Sequence, residues 1–237
     1  MKHGIVIPCY NESKRLDSEA FVQYAKLNPQ NSLCFVNDGS TDNTKEILLK
    51  IRRIVNEENV YIYDLDKNVG KADAVRQGAM FMFKYTDVDT IGFLDADLST
   101  TLSEYDELTS RLDDHNGELK VVFGSRNLGS GEGIERNPLR DVLSKFIKIL
   151  IQAIIKVKIA DTQCGAKVFR RALIPRIYKN SFFSRWLFDV EIILRLKKKL
   201  GKDSFMSSFL EKPLNSWVHM EGSKLSLKDS IFIPNFK

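Results

Sequence analysis

The stretch DTIGFLDADLST, residues 89–100, decides how the rest of the chain is read. Ile91 to Leu94 is a short apolar run of the kind that forms a buried strand, and it ends in two aspartates separated by one alanine. A buried strand normally stops in glycine, proline or a single polar residue. Two carboxylates this close repel each other, and each is costly to desolvate unless a cation lies between them. Residues 90–97 therefore read as a strand whose end, Asp95 and Asp97, faces a cation. The competing reading is a polar strand end in which Asp97 caps the next helix.

The same pattern recurs along the chain. GIVIPC (4–9), SLCFVND (32–38), VYIYDL (60–65) and VVFGSR (121–126) also read as strands, while TKEILLKIRRIVNEE (44–58) and KADAVRQGAMFMFKY (71–85) carry apolar residues at helical spacing. Asp42 or Thr44 can cap the first of these helices. Strand, helix, strand at this rhythm predicts an α/β fold, with a mostly parallel sheet covered by helices on both faces. Ligands of such sheets bind beyond the carboxyl ends of the strands. Those ends carry Pro8-Cys9-Tyr10-Asn11-Glu12, Asn37 to Asp42, Asn68-Val69-Gly70-Lys71 and Asp95-Ala96-Asp97. Four polar clusters on one edge predict a nucleotide diphosphate site containing a divalent metal. The chain has no glycine-rich dinucleotide fingerprint and no P-loop, so a helix N-terminus is not the main phosphate holder. A carboxylate-held metal takes that role, since Mg²⁺ typically uses one or two carboxylates plus substrate phosphates.

Composition sets the outer bounds. A chain of 237 residues suffices for one sizeable core and a single domain over 1–237, and 43% hydrophobic with 28% charged residues is ordinary for a folded protein. The net charge of +5 points to an anionic partner, whether nucleotide, phospholipid or nucleic acid. The three cysteines and three histidines are scattered and lack the spacing of a zinc site, and the cysteines read as reduced, mostly buried thiols in a cytoplasmic compartment. The first apolar run starts at Ile5, without the layout of a secretory leader.

In order and spacing, IVIPCYNE, VNDGSTDNT, NVGKADAVRQG and DADLST resemble the donor half of a GT-A-fold family 2 glycosyltransferase, a Rossmann-like nucleotide-sugar domain, through about residue 127. FGSRN, DTQCGAKVFRRAL, RWLFDVEIILR and GSKL resemble the polyprenyl-phosphate branch, dolichyl-phosphate β-glucosyltransferases above all, and place an acceptor half at 128–237. The chain departs from that pattern at Ala166, where an aromatic usually follows CG, and at His219, where a carboxylate is common. The resemblance implies a nucleotide-sugar donor of the UDP-glucose or GDP-mannose type, Mg²⁺ or Mn²⁺, a polyprenyl-phosphate acceptor and no nucleic-acid partner. It implies that Pro8, Tyr10 and Glu12 line the nucleotide pocket, that Asp38 accepts from the base's ring N–H, and that Lys71 lies near the ribose or diphosphate. Asp95 would contact the nucleotide and Asp97 hold the metal. Arg126 would face the acceptor phosphate, and Lys224 would reach the diphosphate from a closing loop.

The expected reaction is an in-line displacement at the anomeric carbon with inversion. A sugar-hydroxyl acceptor needs a general base, and Asp189 lies where hydroxyl-using relatives carry one. A lipid phosphate is already ionised and needs cations to place it, which Arg126, Arg136 and Arg140 supply, with Asp161 beside them. Alternatively, Asp189 and Glu191 only orient Arg185 and Trp186. Residues 141–161 bear on the choice: as a helix, Asp141, Lys145, Lys148, Gln152 and Lys156 fall in one polar stripe on an otherwise apolar surface. Such a helix, at about 141–160, either packs in protein, on the sheet or across a homodimer interface, or lies in an anionic membrane surface with its lysines at the headgroups. The expectation is a cytoplasmic enzyme peripheral to the membrane, moving a hexose, glucose first, to a polyprenyl phosphate. Two alternatives stand beside it: transfer to a saccharide hydroxyl with Asp189 as base, and an inactive nucleotide-sugar-binding relative.

Overall fold

Each of the five apolar runs becomes a strand. In the computed structural model, which describes residues 1–55, 58–114, 117–126, 151–185 and 187–218, they are β1 (His3–Cys9), β2 (Ser32–Asp38), β3 (Val60–Leu65), β4 (Thr90–Leu94) and β5 (Val121–Ser125). β6 (Ala166–Arg170) and β7 (Phe209–Pro213) come from the second half of the chain. The sheet order is β3-β2-β1-β4-β6-β5-β7. β1 pairs in parallel with β2 and β4, β2 with β3, and β5 with β7, whereas β6 runs against both its neighbours. All strands but β6 therefore point the same way, and their carboxyl ends share one edge. The strand order reverses between β1 and β4, which opens a crevice beyond the ends of those two strands.

Helices cover both faces. On one side lie α1 (Ser18–Leu27), α2 (Thr44–Val55) and α4 (Leu102–Asp114), contributing Phe21, Leu48, Ile51, Tyr105 and Leu108 to the core. On the other lie α3 (Lys71–Tyr85), α5 (Ile174–Tyr178) and α6 (Phe188–Leu200), packed with Phe93, Phe123 and Phe169 of the sheet. Each such side chain, fully buried, contributes roughly 1.5–3 kcal/mol. A short α7 (Lys202–Ser207) leads into β7. α3 sits unusually close to the sheet, because a Cβ on Gly78 would stand 2.5 Å from Val6 Cγ1 and 2.7 Å from Val36 Cγ2. That close approach fixes the height of Lys71, the first residue of α3, over the strand ends.

Two sequence expectations need correction. The strand expected over 90–97 stops at Leu94, where Asp95, Ala96 and Asp97 turn away with Leu98 at φ +53°. The turn is held by Leu98 N–H donating to Asp95 O at 3.2 Å and by Asp97 Oδ1 accepting from Ser99 N–H at 3.0 Å. The helix expected to about 160 ends at 155, with Lys156 at φ +51°. Beyond it Val157 and Ile159 are buried while Lys156, Lys158 and Ala160 are exposed, the period-two pattern of extended chain. Ile151 and Ile155 are buried in the α3–α6 core, and Lys197 of α6 donates to Ile155 O at the helix end. For this last turn, packing on protein is what the structure shows. Residues 127–150, with Arg136, Arg140, Lys145 and Lys148, and residues 219–237, with Lys224, lie outside the described residues. Among those described, no helix is long and apolar enough to cross a membrane.

Candidate active site

The β1 and β2 ends are cross-braced by the chain's own hydrogen bonds. Asn11, at φ +51°, takes a hydrogen bond from Thr41 N–H at 2.8 Å and gives its own N–H to Ser40 Oγ at 3.0 Å. Glu12 N–H donates to Thr44 Oγ1 at 2.8 Å, and Thr44 donates to Asp42, which caps α2 through Thr44 N–H at 3.0 Å. Slight burial pushes the Asp42 carboxyl up, but donors from Ser13 and Thr44 outweigh it and hold it at about 2. The Glu12 carboxylate is buried and taken by Arg15 in a two-pronged contact of 2.6 and 2.9 Å. Glu12 therefore supports the pocket through Arg15, whose guanidinium comes within 3.9 Å of Asp97 Oδ2. Pro8 and Tyr10 are half-buried beside them.

Asp38 at the end of β2 holds the turn before α3. It is only 2% exposed, and it accepts from Val69 N–H at 2.7 Å, Gly70 N–H at 2.9 Å and Asn68 Nδ2 at 3.0 Å. Burial pushes its carboxyl above the ordinary range, with the Val69 and Gly70 donors pulling the other way. Gly70 enters α3 at φ +89°, a region open to glycine. Lys71 follows and closes on Asp95 Oδ1 at 2.5 Å, across the β2 and β4 ends. Burial alone would lower the Lys71 ammonium, but Asp95, Asp189 and Asp97 together hold it above the usual lysine range.

β6, the reversed strand, brings the second half of the chain to the same edge. Its first residue, Ala166, pairs with Leu94, so Gly165 lies against Asp95. The contact is tight: a Cβ on Gly165 would stand 2.1 Å from Asp95 Oδ2. Next along the edge, Arg126 follows β5 and meets Asp161 as a fork, with Nε at 2.7 Å from Oδ2 and Nη2 at 2.9 Å from Oδ1. Burial works against both charges, yet their mutual attraction raises the Arg126 guanidinium and lowers the Asp161 carboxyl. Asp161 is itself placed by its N–H donating to Glu211 Oε1 at 2.7 Å. The segment after β7 crosses the edge: Leu214 N–H donates to Ser125 O at 3.0 Å, Trp217 lies 5.6 Å from the Arg126 guanidinium, and Val218 N–H donates to Ser99 O at 3.0 Å.

Asp189, in the first turn of α6, is buried, and its Oδ1 is 2.8 Å from Lys167 Nζ. Lys167 is thus the cation that pairs with Asp189 inside the fold. Burial pushes the Asp189 carboxyl up, and Lys167 and Lys71 pull it back. Asp189 and Glu191 do not both serve Arg185: Glu191 holds Arg195 at 2.6 Å and Phe183 N–H at 2.9 Å.

The structure thus brings Asp38, Lys71, Asp95, Asp97, Arg126, Asp161 and Asp189 to one edge, with Pro8, Tyr10 and Glu12 beside them. Sequence reasoning missed Arg15, Lys167 and Trp217. Lys167 left a signal, a lysine on the apolar side of the alternating strand AKVFR. For a divalent cation, Asp95 and Asp97 supply hard oxygen donors two residues apart. No group of three or more metal-binding side chains exists among the described residues, so substrate oxygens would have to complete the shell.

Residues 4–177 match the family described as Glycosyl transferase family 2. Dolichyl-phosphate beta-glucosyltransferase of Saccharomyces cerevisiae is 33% identical over 96% of this chain and 70% of its own length. The Homo sapiens protein of that name is 29% identical over 94% of this chain and 69% of its own. Among solved structures, glucosyl-3-phosphoglycerate synthase from Mycobacterium tuberculosis, in complex with Mn²⁺, uridine-diphosphate and phosphoglyceric acid, superposes with a TM-score of 0.68. That match covers 93% of this chain and 71% of the other at 14% identity, a likeness of fold.

Proposed function

The chain belongs to glycosyltransferase family 2 and has the GT-A fold, and from that premise we propose that it moves a hexose, glucose first, from a nucleotide diphosphate sugar to a polyprenyl or dolichyl phosphate. One observation carries the acceptor. The yeast and human relatives, named for dolichyl phosphate, match 96% and 94% of the chain, so the match extends through both its donor and its acceptor half. The geometry of Asp189 agrees with a preionised acceptor. A general base needs an open path to the acceptor proton, whereas Asp189 is buried and held by Lys167.

In this reading the donor lies in the crevice between the β1 and β4 ends. Asp38 sets the 68–70 turn, which aims Lys71 at the diphosphate, and Asp95 sits between Lys71 and Gly165. Asp97, with Asp95, would hold Mg²⁺ or Mn²⁺; when bound, such an ion stabilises negative charge on the departing nucleotide. The Mn²⁺ and uridine-diphosphate of the mycobacterial synthase structure support that choice of groups. Arg126, oriented by Asp161 and flanked by Trp217, places the acceptor phosphate for in-line attack with inversion; Arg136 and Arg140 are the further candidate cations for that phosphate, and Lys224 is the candidate for the donor diphosphate. The enzyme is peripheral to a membrane at its cytoplasmic face, since a lipid phosphate must be drawn from a bilayer, and Lys145, Lys148 and Lys156 are its candidate contacts with anionic lipid.

Radiolabelled UDP-glucose and GDP-mannose, each offered with a short polyprenyl phosphate and with free saccharides, test the reading. The lipid product is expected, with Asp189→Asn retaining substantial transfer and Arg126→Ala losing it or raising the acceptor KM. Transfer to saccharide alone, with Asp189→Asn inactive and Arg126→Ala unaffected, would replace the lipid acceptor by a hydroxyl.

A further inference from the structure

β6 turns Ala166 and Val168 to one core and Phe169 to the other, and Lys167 shares the side of Phe169. Lys167 pairs across β4 with Phe93 and across β5 with Phe123, and its ammonium lies 5.2 and 4.8 Å from the centroids of those rings. None of its surface reaches solvent. A methionine or leucine would fill this space with no charge to desolvate, and replacing a buried ion pair by apolar groups is often neutral or stabilising. Packing alone therefore supplies no reason for an ammonium here.

The reason lies in what it touches. Lys167 Nζ donates to Cys164 O at 2.6 Å and stands 2.8 Å from Asp189. Asp189 acts electrostatically on Lys71, and Lys71 closes on Asp95 at 2.5 Å. From the inside of the sheet to its edge, the charges alternate: Lys167, Asp189, Lys71, Asp95. Lys71 already feels both carboxylates; without the Lys167 charge the pull of Asp189 on it would go unbalanced, and its hold on Asp95 and on the donor would weaken. We propose that Lys167 is a positioning residue of the donor site, satisfying Asp189 from within the sheet so that Lys71 stays with Asp95 and meets the donor's diphosphate. The proposal rests on the nucleotide-sugar reading above, because it takes Lys71 to act on the diphosphate.

The test compares UDP with UMP, which lacks the second phosphate, by calorimetric titration in Mn²⁺. Lys167→Met should weaken UDP about tenfold or more, equivalent to at least about 1.4 kcal/mol, and leave UMP nearly unchanged. Adding Asp189→Asn removes the unpaired carboxylate, so the double variant should bind UDP nearly as the wild type does. The proposal is overturned by Lys167→Met binding UDP like wild type, by equal losses for UDP and UMP, or by a double variant as weak as the single. Should Lys167→Met fail to fold, the double variant, which buries neither charge, carries the test: wild-type UDP affinity supports the relay, and weak binding overturns it. A wild type that binds neither UDP nor GDP would instead overturn the donor reading, and this proposal with it.

Discussion

Gly165→Ala asks whether the Asp95 carboxylate must sit where it does. The new Cβ would stand 2.1 Å from Asp95 Oδ2, 2.5 Å from Cγ and 3.1 Å from Oδ1. Non-bonded heavy atoms settle at about 3.5 Å or more, so the carboxylate must retreat by more than about 1 Å. That movement takes Asp95 Oδ1 from 2.5 Å to beyond a good hydrogen bond with Lys71. A displacement of this size in a reacting constellation costs on the order of 10² in rate, or about 2.7 kcal/mol of barrier. The fold should barely register the change. The clashing atoms are the tip of one side chain, Gly165 is not among the glycines at positive φ, and glycine to alanine at a compatible backbone gains about 0.4–1 kcal/mol. Initial rates of transfer from UDP-glucose to a short polyprenyl phosphate, with Tm measured alongside, should show activity down about 100-fold and Tm nearly unchanged. Activity within about threefold of wild type, or a loss that merely tracks Tm, refutes the reasoning.

Three other outcomes are expected. Asp97→Asn keeps an acceptor for the Ser99 N–H and should fold, but lose the metal-dependent part of UDP or GDP binding; undiminished metal-dependent affinity would remove Asp97 from the metal site. Replacing Lys145, Lys148 and Lys156 with glutamate should cut co-sedimentation with anionic vesicles, most at low salt, since each lysine near such a surface contributes roughly 1 kcal/mol. A wild type left in the supernatant at low salt sinks the membrane contact. Asp42, held at about 2 against an ordinary 3.8, is depressed by folding. Its contribution to stability is therefore full above about pH 4 and lost as pH falls toward 2. Because the group is near the surface, the effect is a modest one. Asp42→Asn should have a lower Tm than wild type at neutral pH and converge with it in acid, and a constant gap would exclude the linkage.

The sequence by itself determined the parallel half of the sheet, the crossover helices α2 and α3, and the polar edge. Apolar runs of five to seven residues followed by polar clusters, separated by segments of helical period, are local patterns, and local sterics and burial suffice to interpret them. β1, β2 and β3 and α3 fall where the periodicity places them, and Asp42 does cap α2. At 156–160 local patterns conflicted: Lys145, Lys148, Gln152 and Lys156 continue a helical stripe, while KVKIA alternates with period two. Burial of Val157 and Ile159 against the α3–α6 core decided for extended chain. The partners of the polar side chains were decided by tertiary structure alone. The Arg126–Asp161 fork joins residues 35 apart, Lys167 meets Asp189 through the reversal of β6, and Gly165 meets Asp95 only because Ala166 pairs with Leu94. A charge is placed by whichever opposite charge the packed backbone brings within a few ångströms, and no local period encodes that meeting.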